Sequence, residues 1–210
     1  PNYLTVKPEG PDAGDLVFVS GHPGSTDRLF TYDQLEYQRD VRYPVYLDYF
    51  ETYRGLIREY AAGGDEQARR VQRQLLGIEN TLKAMSGEYR GLTDVALMRQ
   101  LEEAEADFRD RIAGSRRPDD YTAAFEAIAR ATRHAADSFA QRVYRGFVGS
   151  GLTTTAGMIV RYVSEVEKPD AERLPGYHDS ELEGLRFQIL SPAPVYPDLE
   201  AHIVTGFLEK

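Results

Sequence analysis

The sequence lacks cysteine and tryptophan entirely and has no long apolar run among its 210 residues. The absence of cysteine excludes disulfides, thiolate metal sites and a cysteine nucleophile, although it does not indicate a compartment. No apolar segment approaches the roughly 20 residues that a transmembrane helix needs, so we expect no membrane partner. The first residues, Pro1 to Leu4, have neither the basic region nor the apolar core of a signal peptide, and we expect the chain to be an internal segment of a longer protein.

Basic residues are in the minority. The chain has 25 Lys and Arg against 34 Asp and Glu, which gives a formal net charge of -9 at pH 7. Proteins that bind nucleic acids by charge need a basic surface, so we expect no nucleic-acid partner. Hydrophobic residues make up 41% of the chain, and a chain of this length can bury a real core. The composition is typical of a soluble globular protein.

Two short segments at the N-terminus have the pattern of β-strands. They are Tyr3–Lys7 and Asp15–Ser20, separated by a turn rich in proline and glycine. Two strands alone are marginally stable in water. We therefore predict that this pair completes a larger sheet or barrel.

From about Tyr32 the hydrophobic period becomes helical and stays so to the C-terminus. The first long helix carries a stripe of large side chains, with Pro44 at its start or at a kink: Tyr46, Phe50, Tyr53, Ile57 and Tyr60. Gly63 and Gly64 should end it, and the next helix should return antiparallel with its own seam: Val71, Leu75, Ile78, Leu82, Met85 and Tyr89. The sequence thus predicts a mainly α fold, a bundle of long helices.

Two further long helices and several short ones follow. The third helix has an apolar pattern at Leu97, Leu101, Ala104, Phe108 and Ile112, and the fourth begins at Pro118 and carries Phe125, Ile128, Ala131, Ala135, Phe139 and Val143. Shorter helices are expected from about Thr153 to Glu167, from about Asp179 to Leu190 and after Pro197.

Local patterns supply no complete catalytic or metal site. The four histidines, His22, His134, His178 and His202, lack the spacing of zinc ligands, so we predict no metal and no cofactor. The acidic run from Glu102 to Asp107 is interpreted as a solvated helix face. The Gly21–Thr26 turn lacks the pattern of a phosphate-binding loop, and Ser150 between two glycines is interpreted as a helix break and cap rather than as a nucleophile.

Five segments, in order along nearly the whole chain, resemble one known family. The first runs Gly-Asp-Leu-Val-Phe-Val-Ser-Gly-His-Pro-Gly-Ser-Thr from Gly14 to Thr26 and continues with Arg28 and Leu29. The others are Gln-Leu-Glu at 34–36, Arg-Asp-Val-x-Tyr-Pro at 39–44, Asn-x-x-Lys-x-x-x-Gly at 80–87, and Leu-Ser-Pro-Ala-Pro-Val-Tyr-Pro at 190–197. They are similar to the bacterial dipeptidyl-peptidase 7 and 11 family of serine exopeptidases, peptidase family S46.

The resemblance implies a parent enzyme with a chymotrypsin-like double β-barrel and a large helical domain inserted to cap its cleft. Residues 1–28 would then be the terminal β strands and turn of the barrel domain, and residues 29–210 the helical capping domain. The His, Asp and Ser of the catalytic triad would lie outside this chain, so no catalytic residue is assigned here. The family also implies a periplasmic or secreted location, a peptide substrate, contact with the barrel and a homodimeric parent.

One site residue follows from the resemblance. The family holds the free α-amino group of its substrate with an asparagine of the helical domain, and the matching position is Asn80. The helical spacing agrees, because Asn80, Lys83 and Gly87 share a face that is distinct from the seam of Ile78, Leu82 and Met85. Lys83 is a possible neighbour of this site or else part of a surface ion pair, and Gly87 could allow a close helix approach.

A second hypothesis treats the chain as a stand-alone helical module that binds a protein partner through its tyrosine-rich stripe and has no catalytic role. It leaves the two strand patterns and the Gly-His-Pro-Gly turn without an explanation.

Overall fold

The computed structural model describes residues 8–18, 29–146, 149–191 and 193–210. The chain divides into two units, Pro1–Phe30 and Thr31–Lys210. The described residues of the second unit form the helices α1 (Tyr32–Tyr37), α2 (Tyr43–Ala61), α3 (Asp65–Leu92), α4 (Val95–Ala113), α5 (Pro118–Arg145), α6 (Gly151–Val166), α7 (Leu182–Ile189) and α8 (Pro197–Leu208). The predicted mainly helical fold class is confirmed. None of these described helices combines the length and apolar character that a bilayer-spanning segment needs.

The described part of the first unit contains no strand. Of the two predicted strands, Tyr3–Lys7 lies outside the described residues, and the described part of the second, Asp15–Phe18, is irregular. Leu16 and Phe18 are 83% and 88% exposed. A strand forms only against a partner, because its backbone groups must pair with those of a second segment, and the described residues offer none. The strand prediction is therefore wrong for residues 15–18, and the assignment of residues 1–28 to a barrel stays a prediction.

Pro44 shapes the entry to α2, as the sequence predicted. It lies in the first turn of α2 and is preceded by a π-helical turn, Gln38–Arg42, that joins α1 to α2. Proline has no N–H and its ring collides with the preceding helical turn. The helix accommodates the ring by widening that turn to a π-helical turn. Proline is a common cause of such helix irregularities.

Helices α2 and α3 form the predicted antiparallel hairpin. Gly64 adopts a positive φ of 151° between them, a conformation that favours glycine. The core lies along this hairpin and is closed by α5 and α8, with these fully or nearly buried side chains: Tyr49, Tyr53, Ile57, Val71, Ile78, Leu82, Phe139, Val143, Leu199, Ile203 and Phe207.

The stripe predicted on α2 is displaced in the structure. Tyr53 and Ile57 are buried as expected, whereas Tyr46, Phe50 and Tyr60 are only partly buried against the core. The most buried aromatic side chain is instead Tyr49, which is 1% exposed. The reason is that α2 is covered on several sides, by α3, α5 and α8, so its buried face is wider than a single stripe.

Helix α8 fits closely on α2. Phe207 stacks on Tyr49 with ring centroids 4.5 Å apart and an interplanar angle of 14°. A Cβ at Gly206 would collide with the side chain of Leu56, so a larger residue here would force Leu56 to move. Nε2 of His202 lies 3.0 Å from the carbonyl oxygen of Leu56. These contacts join the C-terminal helix to the centre of the bundle.

The seam predicted on α4 is wrong in detail. Met98 is the buried residue of α4, while Phe108 is 48% exposed and Leu97 is also exposed. On α5 the predicted Phe139 and Val143 are buried, but Ala129 is buried in place of its neighbours Ile128 and Ala131. The pattern of a sequence shows which helix face is apolar, but not whether a second helix covers that face.

Candidate functional site

Asn80 lies near the middle of α3 on an exposed face. A Cβ added at Gly77 or at Gly87 would meet no atom within 4 Å, so the described residues leave this side of α3 open. Gly87 therefore does not serve a close helix approach within the described part of the chain. Asn80 and Lys83 are both exposed.

The rest of α3 fixes the direction in which Asn80 faces. Ile78 and Leu82 are buried in the core. The carboxylate of Glu79 is 2.6 Å from Nη2 of Arg58 and 3.4 Å from Nη1 of Arg54, both on α2. Because the apolar seam and this ion pair both hold α3 against α2, the helix cannot turn about its axis, and Asn80 stays on the open side.

The amide of Asn80 is available for a ligand. No hydrogen bond joins its side chain to another residue within the described ranges, and Lys83 likewise makes no ion pair there. An asparagine side chain offers a carbonyl oxygen that accepts hydrogen bonds and an NH₂ group that donates them. Its oxygen can therefore accept a hydrogen bond from an ammonium group.

A cleft of about 470 Å³ opens between α2, α3 and α5. Thr81 and Met85 form the α3 side of the cleft. Successive residues of a helix are rotated by about 100° about its axis, so these two side chains lie on a different face of α3 from Asn80. The remaining lining residues are Arg42, Tyr46, Tyr49, Phe50, Phe139, Arg142 and Val143. No sequence pattern indicates this cleft, because its residues come from segments far apart in the chain.

Ser150 is a helix cap, as predicted, and is 1% exposed. Its hydroxyl accepts a hydrogen bond from the backbone N–H of Thr153 at 3.1 Å and donates one to Oε2 of Glu200 at 2.6 Å. Glu200 also accepts from the N–H groups of Gly151 and Leu152. A carboxylate at a helix N-terminus satisfies unpaired donors and opposes the helix dipole. This arrangement stabilises the start of α6 on α8.

Tyr53 links the same region to α3. Its hydroxyl donates to the carbonyl oxygen of Gly149 at 3.0 Å and accepts from Nε2 of Gln74. Burial raises the pKa of Tyr53 to about 12, although the hydrogen bond from Gln74 works in the opposite direction. The phenol is therefore neutral at physiological pH and acts as a structural hydrogen-bonding group.

The raised pKa of Tyr53 predicts a loss of stability at alkaline pH. In the unfolded chain a tyrosine ionises near pH 10. The contribution of the neutral Tyr53 phenol to the free energy of unfolding is therefore fully present below pH 10 and is lost as the pH rises towards about 12. Two pKa units correspond to roughly 2 to 3 kcal/mol. Urea unfolding between pH 8 and 12 should show this loss, and Tyr53→Phe should reduce it. An unchanged pH dependence in Tyr53→Phe would contradict the buried phenol.

The acidic residues of α4 mostly face solvent, as predicted, but Glu105 does not. Its side chain is 14% exposed and accepts hydrogen bonds from the backbone N–H of Tyr32, at the start of α1, and from Arg109. The prediction that the acidic residues from Glu102 to Asp107 face solvent is therefore correct except at Glu105, which binds the start of α1. Among the described residues, no group of three or more His, Asp or Glu side chains is arranged to hold a metal ion.

The histidines in the described part of the chain lie on separate elements. His134 is exposed, Nδ1 of His178 is 2.9 Å from the carbonyl oxygen of Asp170, and His202 contacts α2. His22 and the Gly21–Thr26 turn lie outside the described residues. The described histidines thus lie apart and have local partners or face solvent.

Comparison with known proteins decides the family. The sequence profile described as Peptidase S46 matches residues 1–210. The chain belongs to the peptidase S46 family. A curated relative, the Asp/Glu-specific dipeptidyl-peptidase of Shewanella putrefaciens, is 24% identical over 182 residues, which are 86% of this chain and 25% of the relative. The chain thus spans about a quarter of the length of that relative. No solved structure matches the chain significantly.

Family membership confirms the resemblance seen in the sequence. It does not test the role of single residues, so the assignment of Asn80 as a binding residue stays a prediction. The same holds for Lys83 as its neighbour.

Proposed function

We propose that this chain is the helical substrate-capping segment of a serine-type dipeptidyl aminopeptidase, which releases dipeptides from the free N-terminus of peptides. S46 membership over the whole chain supports this proposal, as does the name of the Shewanella relative. In this proposal the catalytic His, Asp and Ser lie outside residues 1–210, on a double β-barrel that this segment covers. The enzyme is periplasmic or secreted and homodimeric. The alternative, a stand-alone interaction module, leaves the family membership unexplained.

The observation that carries the proposal is the open amide of Asn80 on a firmly held helix. In the proposed enzyme the side-chain oxygen of Asn80 accepts a hydrogen bond from the α-ammonium group of the substrate. A dipeptidyl aminopeptidase must hold that ammonium at a fixed distance from the reacting carbonyl, because the distance determines that cleavage follows the second residue. Helix α3 has 28 residues and is about 42 Å long, and its contacts with α2 give Asn80 a defined position.

Asn80→Ala in the full-length enzyme should lower kcat/KM for dipeptidyl substrates with a free N-terminus by roughly 10- to 100-fold. The estimate follows from the loss of one hydrogen bond to a charged group, about 1.5 to 3 kcal/mol. Steady-state hydrolysis of chromogenic dipeptidyl substrates measures it. Asn80→Asp should keep much of the activity, because a carboxylate also accepts from an ammonium.

Gln72→Ala provides a matched control. Gln72 is another exposed amide of α3, two turns before Asn80, and we expect its replacement to leave kcat/KM unchanged. If Asn80→Ala were as active as the unmodified enzyme, the recognition role of Asn80 would be wrong. If the unmodified full-length protein released no dipeptides, the proposed function itself would be wrong.

A further inference from the structure

The cleft between α2, α3 and α5 has a size and a wall suited to a ligand. Its volume of about 470 Å³ falls within the usual range for small-molecule pockets, about 300 to 1,000 Å³. The aromatic rings of its wall contact one another: the ring of Tyr46 is 5.1 Å from that of Phe139 at 86° and 6.0 Å from that of Phe50. Such edge and tilted contacts favour a fixed arrangement of the rings.

Two guanidinium groups face this apolar wall. Arg42 lies over the ring of Tyr46, with its Cζ atom 5.6 Å from the ring centroid, and Arg142 lies over Phe139 at 5.9 Å. Burial raises the pKa of Tyr37, and the charges of Arg142 and Arg42 both oppose this rise. Both positive charges therefore act on the same small region.

Neither guanidinium is neutralised by a carboxylate within the described part of the chain. Arg42 donates to the neutral Oε1 of Gln38 at 2.8 Å, and Arg142 donates to the carbonyl oxygen of Ala135 at 3.1 Å and to the hydroxyl of Ser138. Both guanidinium groups therefore keep N–H donors and a full positive charge available to a carboxylate ligand, unlike Arg54 and Arg109, which form ion pairs with Glu79 and Glu105.

We propose that this cleft is a second peptide-binding site, which takes a carboxylate next to an aromatic or aliphatic side chain. The carboxylate binds between Arg42 and Arg142, and the apolar side chain lies on Tyr46, Phe50 and Phe139. Arginine binds carboxylates through parallel N–H donors, and the half-buried position of Arg42 beside aromatic rings strengthens its interaction with a carboxylate. The carboxylate can be the C-terminus of a peptide or an Asp or Glu side chain. The site is distinct from Asn80, which binds an ammonium group, and it does not depend on the proposed peptidase activity.

The test uses three probes with the full-length protein. The probes are N-acetyl-phenylalanine, N-acetyl-phenylalanine amide and N-acetyl-Glu-Phe amide. The acetyl group removes the free ammonium, so none of them can use the proposed Asn80 site. Isothermal titration calorimetry at low and moderate salt should show binding of N-acetyl-phenylalanine and at least tenfold weaker binding of its amide. Binding of N-acetyl-Glu-Phe amide would identify acidic side chains as a source of the carboxylate, and binding of N-acetyl-phenylalanine alone would identify C-termini.

Arg42→Gln and Arg142→Gln should each weaken the binding of the carboxylate probe roughly 10- to 100-fold. Arg90→Gln, at an exposed arginine of α3 outside the cleft, should leave the binding unchanged, and Asn80→Ala should leave it unchanged as well. Equal affinity for the acid and the amide would overturn the proposal, and this comparison needs no variant. Unchanged binding of the carboxylate probe in both cleft variants would also overturn it.

Discussion

Replacing Tyr49 with alanine should lower the free energy of unfolding by about 3 to 5 kcal/mol, the range found for large aromatic side chains removed from a core. Tyr49 is 1% exposed. Its ring stacks on Phe207 at 4.5 Å and meets the rings of Phe50 and Tyr144 at 5.7 and 5.4 Å. Alanine would leave a cavity where α2, α5 and α8 meet, and these helices can close it only in part.

Urea unfolding of the 210-residue chain, followed by circular dichroism at 222 nm, measures this loss. Tyr49→Phe keeps the stacked ring and should cost much less than Tyr49→Ala. Tyr46→Ala is the matched control, because Tyr46 is an aromatic residue of the same helix that is only partly buried. A cost below about 1 kcal/mol for Tyr49→Ala would contradict the burial of Tyr49 between α2, α5 and α8.

Glu200→Ala should lower the free energy of unfolding by about 2 to 3 kcal/mol. One carboxylate accepts from the hydroxyl of Ser150 at 2.6 Å, from the N–H of Gly151 at 3.2 Å and from the N–H of Leu152 at 3.1 Å. Its removal leaves a buried hydroxyl and two helix N–H groups without their acceptor, and it removes a negative charge from the positive end of the dipole of α6.

A double-mutant cycle separates these contributions. Ser150→Ala alone should cost about 1 kcal/mol, the usual value of a serine N-cap. Because the two side chains share a hydrogen bond, the costs of Glu200→Ala and Ser150→Ala should not add. Glu209→Ala, at an exposed carboxylate just after α8, should change stability by less than about 0.5 kcal/mol. Strict additivity of the Ser150 and Glu200 costs would contradict their coupling.

Much of the helical fold follows from local rules. Gly63 and Gly64 end α2, Pro118 begins α5 and Ser150 caps α6, because each residue type has a backbone or side-chain property suited to that position. The exposed face of Asn80 was predictable for the same reason, since Ile78 and Leu82 fix the buried side of α3 at helical spacing.

The strand prediction failed at Asp15–Phe18 because strand formation is not local. Alternating apolar residues show that a segment suits a sheet, but the sheet forms only with a partner segment. The predicted apolar seam of α4 was wrong for a related reason: the exposure of Phe108 depends on which other helices cover that face.

The sequence alone determined the helical class, most helix ends, the S46 resemblance and the open face that carries Asn80. Only the tertiary structure placed Tyr49 in the centre of the core, Glu105 at the start of α1, Glu200 at the start of α6, and Arg42 and Arg142 on the wall of one cleft. Helix period and capping act over three or four residues and can be predicted from neighbouring positions. The contacts of Glu105 with Tyr32 and of Glu200 with Ser150 join residues 73 and 50 positions apart, and such pairs are decided by how whole helices pack.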